Sequence, residues 1–82
     1  MGIKVVVIGT GFGRYAMAPS LERLGCEVEL VSARDERAIQ RAIAAHCDLV
    51  SIHSPPFLHL AHVGLAARHR RHILCDKPFG CD

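Results

Sequence analysis

The sequence predicts an α/β fold, a small parallel sheet with helices on both faces. Three observations predict it. Lys4 to Ile8 is a β-branched run with no polar alternation, the pattern of a strand buried on both faces. A turn carrying Gly9, Gly11 and Gly13 follows at once and opens a helical pattern. Short apolar runs then alternate with helical stretches of about ten to fifteen residues, the order of right-handed βαβ units.

Each element has its own grounds. Strand one is Lys4 to Ile8. Tyr15 to Leu24 reads as a helix, with Leu21 and Leu24 at helical spacing and Gly25 marking its end. Pro19 lies inside it, removes a backbone donor, and is expected to kink or shorten it. Glu27 to Val31 alternates polar and apolar, which suits a strand nearer the sheet edge. Asp35 caps the next helix, whose apolar stripe is Ala38, Ile39, Ala42 and Ile43, with Arg37, Gln40 and Arg41 toward water. Leu49 to Ile52 is a third strand, closed by Ser54-Pro55-Pro56 because proline donates no ladder hydrogen bond. Leu58 to His69 reads as a helix with Leu58, Ala61, Leu65 and Ala66 on one side and Gly64 weakening its centre. His72 to Cys75 is strand four. There is no repeat, linker or low-complexity stretch.

Composition narrows the classes. The chain has 82 residues, half of them apolar and 22% charged, which suits one globular domain rather than a disordered chain. At this length folding buries only about 60–65% of the unfolded surface, so a complete two-domain enzyme is excluded and the chain is either a small module or a piece of something longer. A formal charge of +2 is too small to imply nucleic acid or an anionic membrane as a partner. No apolar run approaches the ~20 residues of a membrane span, and neither a secretory signal nor myristoylation is expected, since the first apolar run ends at Gly9 and position 6 is Val where myristoylation wants Ser or Thr. Cys26, Cys47, Cys75 and Cys81 form no CxxC pair, as expected of reduced thiols in a cytoplasmic domain.

The strongest chemical signal is the order strand, Gly9-Thr10-Gly11-Phe12-Gly13-Arg14, helix. A dinucleotide pyrophosphate is anionic, and a helix N-terminus offers unpaired N–H groups and the positive end of a dipole. Gly9 is expected to permit the tight turn, and Gly11 to leave room where a Cβ would block the phosphates. The G-x-G-x-x-G pattern is imperfect, since its third position falls on Arg14 or, one register on, Ala16. The bland alternative is an unoccupied turn. A class I methyltransferase also has such a turn, but the acidic residues that reading wants are replaced here by Val7-Ile8 and Ala33.

The end of strand two bears on the cofactor. An NAD site expects Asp or Glu about twenty residues after the loop, to bond the ribose hydroxyls, whereas an NADP site lacks that charge and supplies Arg. Here the place is Ala33, flanked by Ser32 and Arg34, a hydroxyl and a fixed cation suited to a 2'-phosphate. NADP is therefore preferred over NAD, the plainer reading being that Arg34 is an ordinary solvated residue.

Three motifs in order, Gly9-Thr10-Gly11-Phe12-Gly13-Arg14, Ser54-Pro55-Pro56-Phe57-Leu58-His59 and Cys75-Asp76-Lys77-Pro78-Phe79-Gly80, resemble the N-terminal part of the glucose-fructose oxidoreductase, inositol dehydrogenase and MocA-type oxidoreductases. The resemblance covers nearly the whole chain. It implies hydride transfer between a nicotinamide cofactor and a carbon bearing oxygen or nitrogen, often on a sugar or polyol. By the same resemblance, Ser54, Pro55, Pro56 and His59 line the groove beside the nicotinamide ribose. Lys77, followed by Pro78, lies near nicotinamide and substrate as the catalytic residue, its ammonium polarising a hydroxyl or carbonyl oxygen. Read without the motif, Lys77 is a surface lysine.

The chain departs from the family in three ways. Asp76 stands where the family has Glu. The interval from Ser32 to Asp48 is too short for the usual helix, strand and second helix, so one strand is missing. The expected fold is then a truncated, Rossmann-like three-layer domain with a four-stranded parallel sheet in the order 2-1-3-4, Pro55-Pro56 lying across the switch point from the glycine loop. The chain also stops at Asp82, so residues 1–82 are expected to form a partial NAD(P)-binding domain without the C-terminal substrate domain. A small-molecule substrate is expected only with that domain, and an oligomer is possible for the full-length protein.

Weaker signals have plainer explanations. His59 and His62 share a helix face, and His69, His72 and Cys75 are evenly spaced, but the latter need not converge on a tetrahedral site, so no metal is expected. His53 reads as a hydrogen-bonded strand residue, and Cys75 as an inert core thiol. Arg68 to His72 reads as a solvated basic cap at a helix end, and not as a nucleic-acid contact. Two other functions stay open beside the oxidoreductase: a stand-alone nucleotide-binding or sensing module without catalysis, and a remnant that binds nothing.

Overall fold

The computed structural model describes residues 2–11, 13–45 and 47–75. Along the chain run β1 (Lys4–Ile8), a π-helical turn (Gly13–Met17) leading into α1 (Ala18–Arg23), β2 (Glu27–Val31), α2 (Glu36–Ala44), β3 (Leu49–Ile52), α3 (Pro56–Arg68) and β4 (His72–Cys75). The four strands form one parallel sheet in the order β2-β1-β3-β4. β1 has a neighbour on each side, with Val6 opposite both Glu29 and Val50. That is why its apolar run needs no alternation, and Val5 to Ile8 are at most 2% exposed. β2 is an edge strand and alternates as the sequence predicts.

The crossovers from β1 to β2 and from β2 to β3 run in opposite directions across the sheet. A right-handed crossover therefore puts α1 on one face and α2 on the other. On the α2 side, Val6, Ile8, Val31, Val50 and Ile52 of the sheet meet Ile39, Ala42 and Ile43 of α2 and Ala66 of α3 in one apolar cluster. Cys47 is buried in the same cluster, and burial pushes its thiol up in pKa, which keeps it protonated and unreactive.

Several boundaries differ from the sequence expectation for physical reasons. Pro19 does not kink a continuous helix, but the α-helical part is shortened to Ala18–Arg23. The proline sits in the first turn of α1, where a missing N–H costs nothing, and the preceding residues form the wider π turn, with Ser20 Oγ donating to the Ala16 carbonyl at 2.8 Å. Leu24 lies beyond the helix and is 79% exposed, leaving Ala18 as the buried residue of α1. The helix closes by a Schellman motif: Cys26 N–H donates to Leu21 O, Gly25 N–H donates to Glu22 O, and Gly25 takes φ +89°.

α3 starts at Pro56 and not at Leu58, since proline fits the first helical position. Its buried line runs through His59, His62 and Ala66, while Ala61 faces water. Of the expected apolar stripe, Leu65 and Ala66 do pack on the core, while the inward positions nearer the start of the helix carry two histidines. α3 ends by the same motif as α1, but with a non-glycine residue, Arg70, at φ 59°.

The basic stretch after α3 is not simply a solvated cap. Arg71 reaches back to the C-terminal end of α2, donating from Nε to Ile43 O at 3.0 Å and from Nη2 to Ala44 O at 3.3 Å and Ala45 O at 2.8 Å. Those carbonyls have no partner within their own helix, so one guanidinium closes the end of α2. Cys75 is half-buried against the cluster and not a full core residue, because β4 is the second edge strand and Ile73 and Leu74 are 37% and 42% exposed. Among the described residues, no helix is long and apolar enough to cross a membrane.

Candidate functional site

The carboxyl ends of β2, β1 and β3 are tied level by two backbone bonds. Gly9 N–H donates to Val31 O at 2.9 Å, and His53 N–H donates to Ile8 O at 2.8 Å. The loops leaving those three strands therefore border one open groove of about 640 Å³. Gly9, Thr10 and Gly11 line it from β1, Ser32, Ala33 and Arg34 from β2, and His53 and Pro55 from β3, with Phe57 and Leu58 in the first turn of α3. This crevice lies where the strand order reverses, the position at which open α/β sheets bind ligands.

The two groove glycines have different physical reasons. Gly9 takes φ +121°, and a Cβ there would lie 2.6 Å from the His53 carbonyl oxygen, so the fold itself demands glycine. Gly11 has no positive φ, and a Cβ there would meet nothing within 4 Å. Neither strain nor packing requires Gly11. What its missing side chain leaves is space on the groove side, just before the helix that begins with Tyr15 N–H donating to Gly11 O at 3.1 Å. The arrangement fits a bound pyrophosphate.

At the β2 lip, Ser32 Oγ accepts from Arg34 N–H at 3.2 Å, a local turn that leaves the hydroxyl proton available to the groove. Arg34 is exposed, and Ala33 packs against the core cluster. The nearest following carboxylate, Asp35, is engaged as the N-cap of α2, its Oδ1 accepting from Ala38 N–H at 3.1 Å. The lip thus presents a hydroxyl and a guanidinium to the groove.

The β3 lip separates residues that the sequence motif groups together. Pro55 is exposed and lines the groove, whereas Ser54 and His59 are buried behind it, 5% and 3% exposed. Ser54 is clamped from two sides: its hydroxyl is hydrogen-bonded to His62 Nδ1 at 2.8 Å, and its carbonyl accepts from His59 Nε2–H. His59 Nδ1 is buried and has no partner among the described residues. Burial holds His62 below the ordinary histidine pKa, against the pull of the Glu36 carboxylate and with a further push from His59. His53 lines the groove, its Nε2 2.6 Å from Ser51 Oγ.

Phe12, Lys77 and Pro78 lie outside the described residues, as do the side chains of Arg14 and Pro56. The sequence reading missed His53, Phe57 and Leu58 as groove residues. Their signal was positional, since residues just past a strand end at the switch point border the crevice whatever their chemistry. Among the described residues no three His, Cys, Asp or Glu side chains come together as metal ligands.

The sequence pattern of the oxidoreductase family with the NAD-binding Rossmann fold matches residues 38–82. A provisionally assigned oxidoreductase from Klebsiella pneumoniae superimposes with a TM-score of 0.79 and 29% identity, over 98% of this chain and 28% of its own. UDP-N-acetylglucosamine 3-dehydrogenase from Acidithiobacillus ferrooxidans gives a TM-score of 0.82 and 26% identity, over 100% of this chain and 32% of its own. Levoglucosan dehydrogenase in complex with NADH and L-sorbose gives 0.65 and 24%, over 96% and 28%, a likeness of fold. This chain spans 28–32% of the length of those structures. No curated protein sequence matches it.

Proposed function

Because the chain belongs to the oxidoreductase family with the NAD-binding Rossmann fold, we propose that its groove holds the dinucleotide of an NADP-preferring enzyme acting on a sugar, polyol or related hydroxyl or carbonyl compound. The observation that carries the reading is Gly11, a glycine that the protein's own packing and backbone do not need, at the centre of a groove whose other wall is Ser32 and Arg34. The preference for NADP rests on Arg34 beside a β2 end whose nearest following carboxylate is committed to capping α2. The substrate class rests on the dehydrogenase of a sugar nucleotide among the similar structures.

In this reading each part of the chain has a task. Backbone N–H groups of the glycine loop and the helix behind it face the pyrophosphate, and Arg14 and Arg34 add positive charge. Gly9, Thr10, Gly11, Phe12 and Gly13 shape that loop, Ser32 and Ala33 border the adenosine ribose, and Pro55 and Pro56 border the nicotinamide ribose on the opposite wall. Ser54 and His59 act from behind that wall by holding it in place. A bound nicotinamide supplies a hydride acceptor or donor. Lys77, beside Pro78, polarises the substrate oxygen, and residues 1–82 form the cofactor half of an enzyme whose substrate contacts come from a further domain.

The test is a titration of the purified chain with NADPH and NADH, followed by nicotinamide fluorescence and by the rise in melting temperature that a ligand of the native state produces. Saturable binding of both, tighter for NADPH, is expected. Absence of saturable binding by either overturns the reading. A binding module without catalysis is separated by turnover: a longer chain that binds NADP+ and NADPH yet neither oxidises a polyol or sugar with NADP+ nor reduces a carbonyl counterpart with NADPH would be a sensor.

A further inference from the structure

α3 carries two buried histidines that touch no part of the groove themselves yet hold the residue on which its β3 wall depends. His59 and His62 are each 3% exposed, and both are bonded to Ser54, which directly precedes Pro55. His62 Nδ1 lies 2.8 Å from the Ser54 hydroxyl. With the ring neutral, one hydrogen between Oγ and Nδ1 completes that bond. Pro55 in turn accepts from Leu58 N–H at 2.9 Å, so the wall and the first turn of α3 follow Ser54.

A second proton changes the balance. Both ring nitrogens then donate, and a full charge stands in a site closed to water, which is costly unless the charge finds a partner. Among the described residues, two ionisable groups face the ring. Glu36, at the start of α2, attracts the charge, and His59, on the same helix, repels it. Glu36 is exposed, so a charged His62 gains by turning toward that carboxylate and the solvent, and loses by staying on Ser54. The ring therefore has two partners, one for each protonation state.

Building on the proposed dinucleotide site, we propose that His62 is a proton-responsive positioning residue: neutral, it fixes Ser54 and the Pro55 wall; protonated, it turns to Glu36, frees the wall and weakens the dinucleotide. By linkage the bound dinucleotide must oppose protonation of His62 to the same extent.

The probe for affinity is NAD+, because the 2'-phosphate of NADP itself titrates near about pH 6. Calorimetry on the full chain from pH 7.5 to 5, with circular dichroism confirming that it stays folded, should show affinity falling about five- to a hundredfold, the span of ordinary coupling between two sites. His62→Gln should flatten that fall. Glu36→Gln, at an exposed position, should move it to lower pH. His53 in the groove wall cannot produce the effect, since its protonation would attract a pyrophosphate. In the NMR titration of the His62 imidazole, saturation with NADP+ should lower the pH at which the ring takes up its proton. Parallel affinity profiles for the parent and His62→Gln overturn the switch and leave the dinucleotide site standing. So does an imidazole titration that NADP+ does not move, which decides alone if His62→Gln does not fold or NAD+ binds too weakly to follow. A parent that binds neither NADPH nor NADH at pH 7.5 overturns the dinucleotide reading and this one with it.

Discussion

Gly9 and Gly11 stand two residues apart in one loop, yet alanine should act on them in opposite ways. At Gly9 the backbone lies at φ +121°, a region that costs a side-chain-bearing residue about 1–3 kcal/mol. The added Cβ would lie 2.6 Å from the His53 carbonyl oxygen, and that oxygen belongs to backbone tied into the sheet. Relieving the overlap parts the ends of β1 and β3 and strains the bonds from His53 N–H to Ile8 O and from Gly9 N–H to Val31 O, each worth about 1 kcal/mol. The expected loss is about 3–5 kcal/mol, against a total stability of about 4–12 kcal/mol for a chain of this length. Urea unfolding followed by circular dichroism should show a large fall in midpoint, or no cooperative transition. At Gly11 the Cβ meets nothing, so Gly11→Ala should leave the midpoint unchanged or raise stability by up to about 1 kcal/mol. The same variant should bind NADPH more than about tenfold more weakly, because the methyl occupies the space left for phosphate. A Gly9→Ala chain as stable as its parent refutes the close approach of the two strand ends. NADPH affinity of Gly11→Ala within twofold of the parent refutes the phosphate cradle.

Arg71→Ala removes all three hydrogen bonds that close the end of α2 and should cost about 1–3 kcal/mol in urea unfolding, with Arg71→Lys recovering only part; an unchanged midpoint refutes the cap. His62 gives a pH dependence. Burial lowers its folded-state pKa, so as pH falls the unfolded chain takes up the proton first, near the ordinary histidine value of about 6.5. Its contribution is therefore complete above that pH and declines below it, with a slope of at most about 1.4 kcal/mol per pH unit for one proton. Urea midpoints from pH 7.5 to 5.5 should fall in the parent and fall less in His62→Gln, and identical profiles would count against the buried imidazole. For cofactor choice, Ala33→Asp with Arg34→Ala should move the ratio of NADPH to NADH dissociation constants toward NADH; an unmoved ratio removes Arg34 from the site.

The strands were legible because their signals are local. β1 to β4 lie at the expected residues, and buried β1 and edge strand β2 read differently for reasons of neighbour count alone. Helix limits were less legible. α3 begins at Pro56 with Pro55 as its N-cap, and prolines stop a strand and start a helix with equal ease, while the π turn before α1 has no periodic signature. In α3 the inward face mixes Leu65 and Ala66 with two histidines, so an apolar-stripe argument found the C-terminal half of that face and missed the other: Ala61 is exposed where His62 is buried. The role of Arg71 was invisible for another reason. Its partners, Ile43 to Ala45, are more than twenty-five residues away, and only the return of the chain through β3 and α3 brings them together.

The site shows why a motif and a surface are different things. Ser54-Pro55-Pro56-Phe57-Leu58-His59 is continuous in sequence, but a chain leaving a strand and entering a helix must turn some of these side chains inward and others outward. Ser54 and His59 go in and are hydrogen-bonded to each other and, through the Ser54 hydroxyl, to His62, leaving only His59 Nδ1 without a partner among these buried side-chain atoms of the described residues. Pro55, Phe57 and Leu58 go out and become groove wall. Substitutions at Ser54 or His62 should therefore act on ligand affinity through the position of Pro55 and Phe57, and together with a loss of stability. Substitutions at Phe57 should change affinity alone. That the β2, β1 and β3 ends are tied by backbone bonds before any ligand arrives gives the groove its shape in advance. A dinucleotide that meets fixed walls loses less affinity to ordering them.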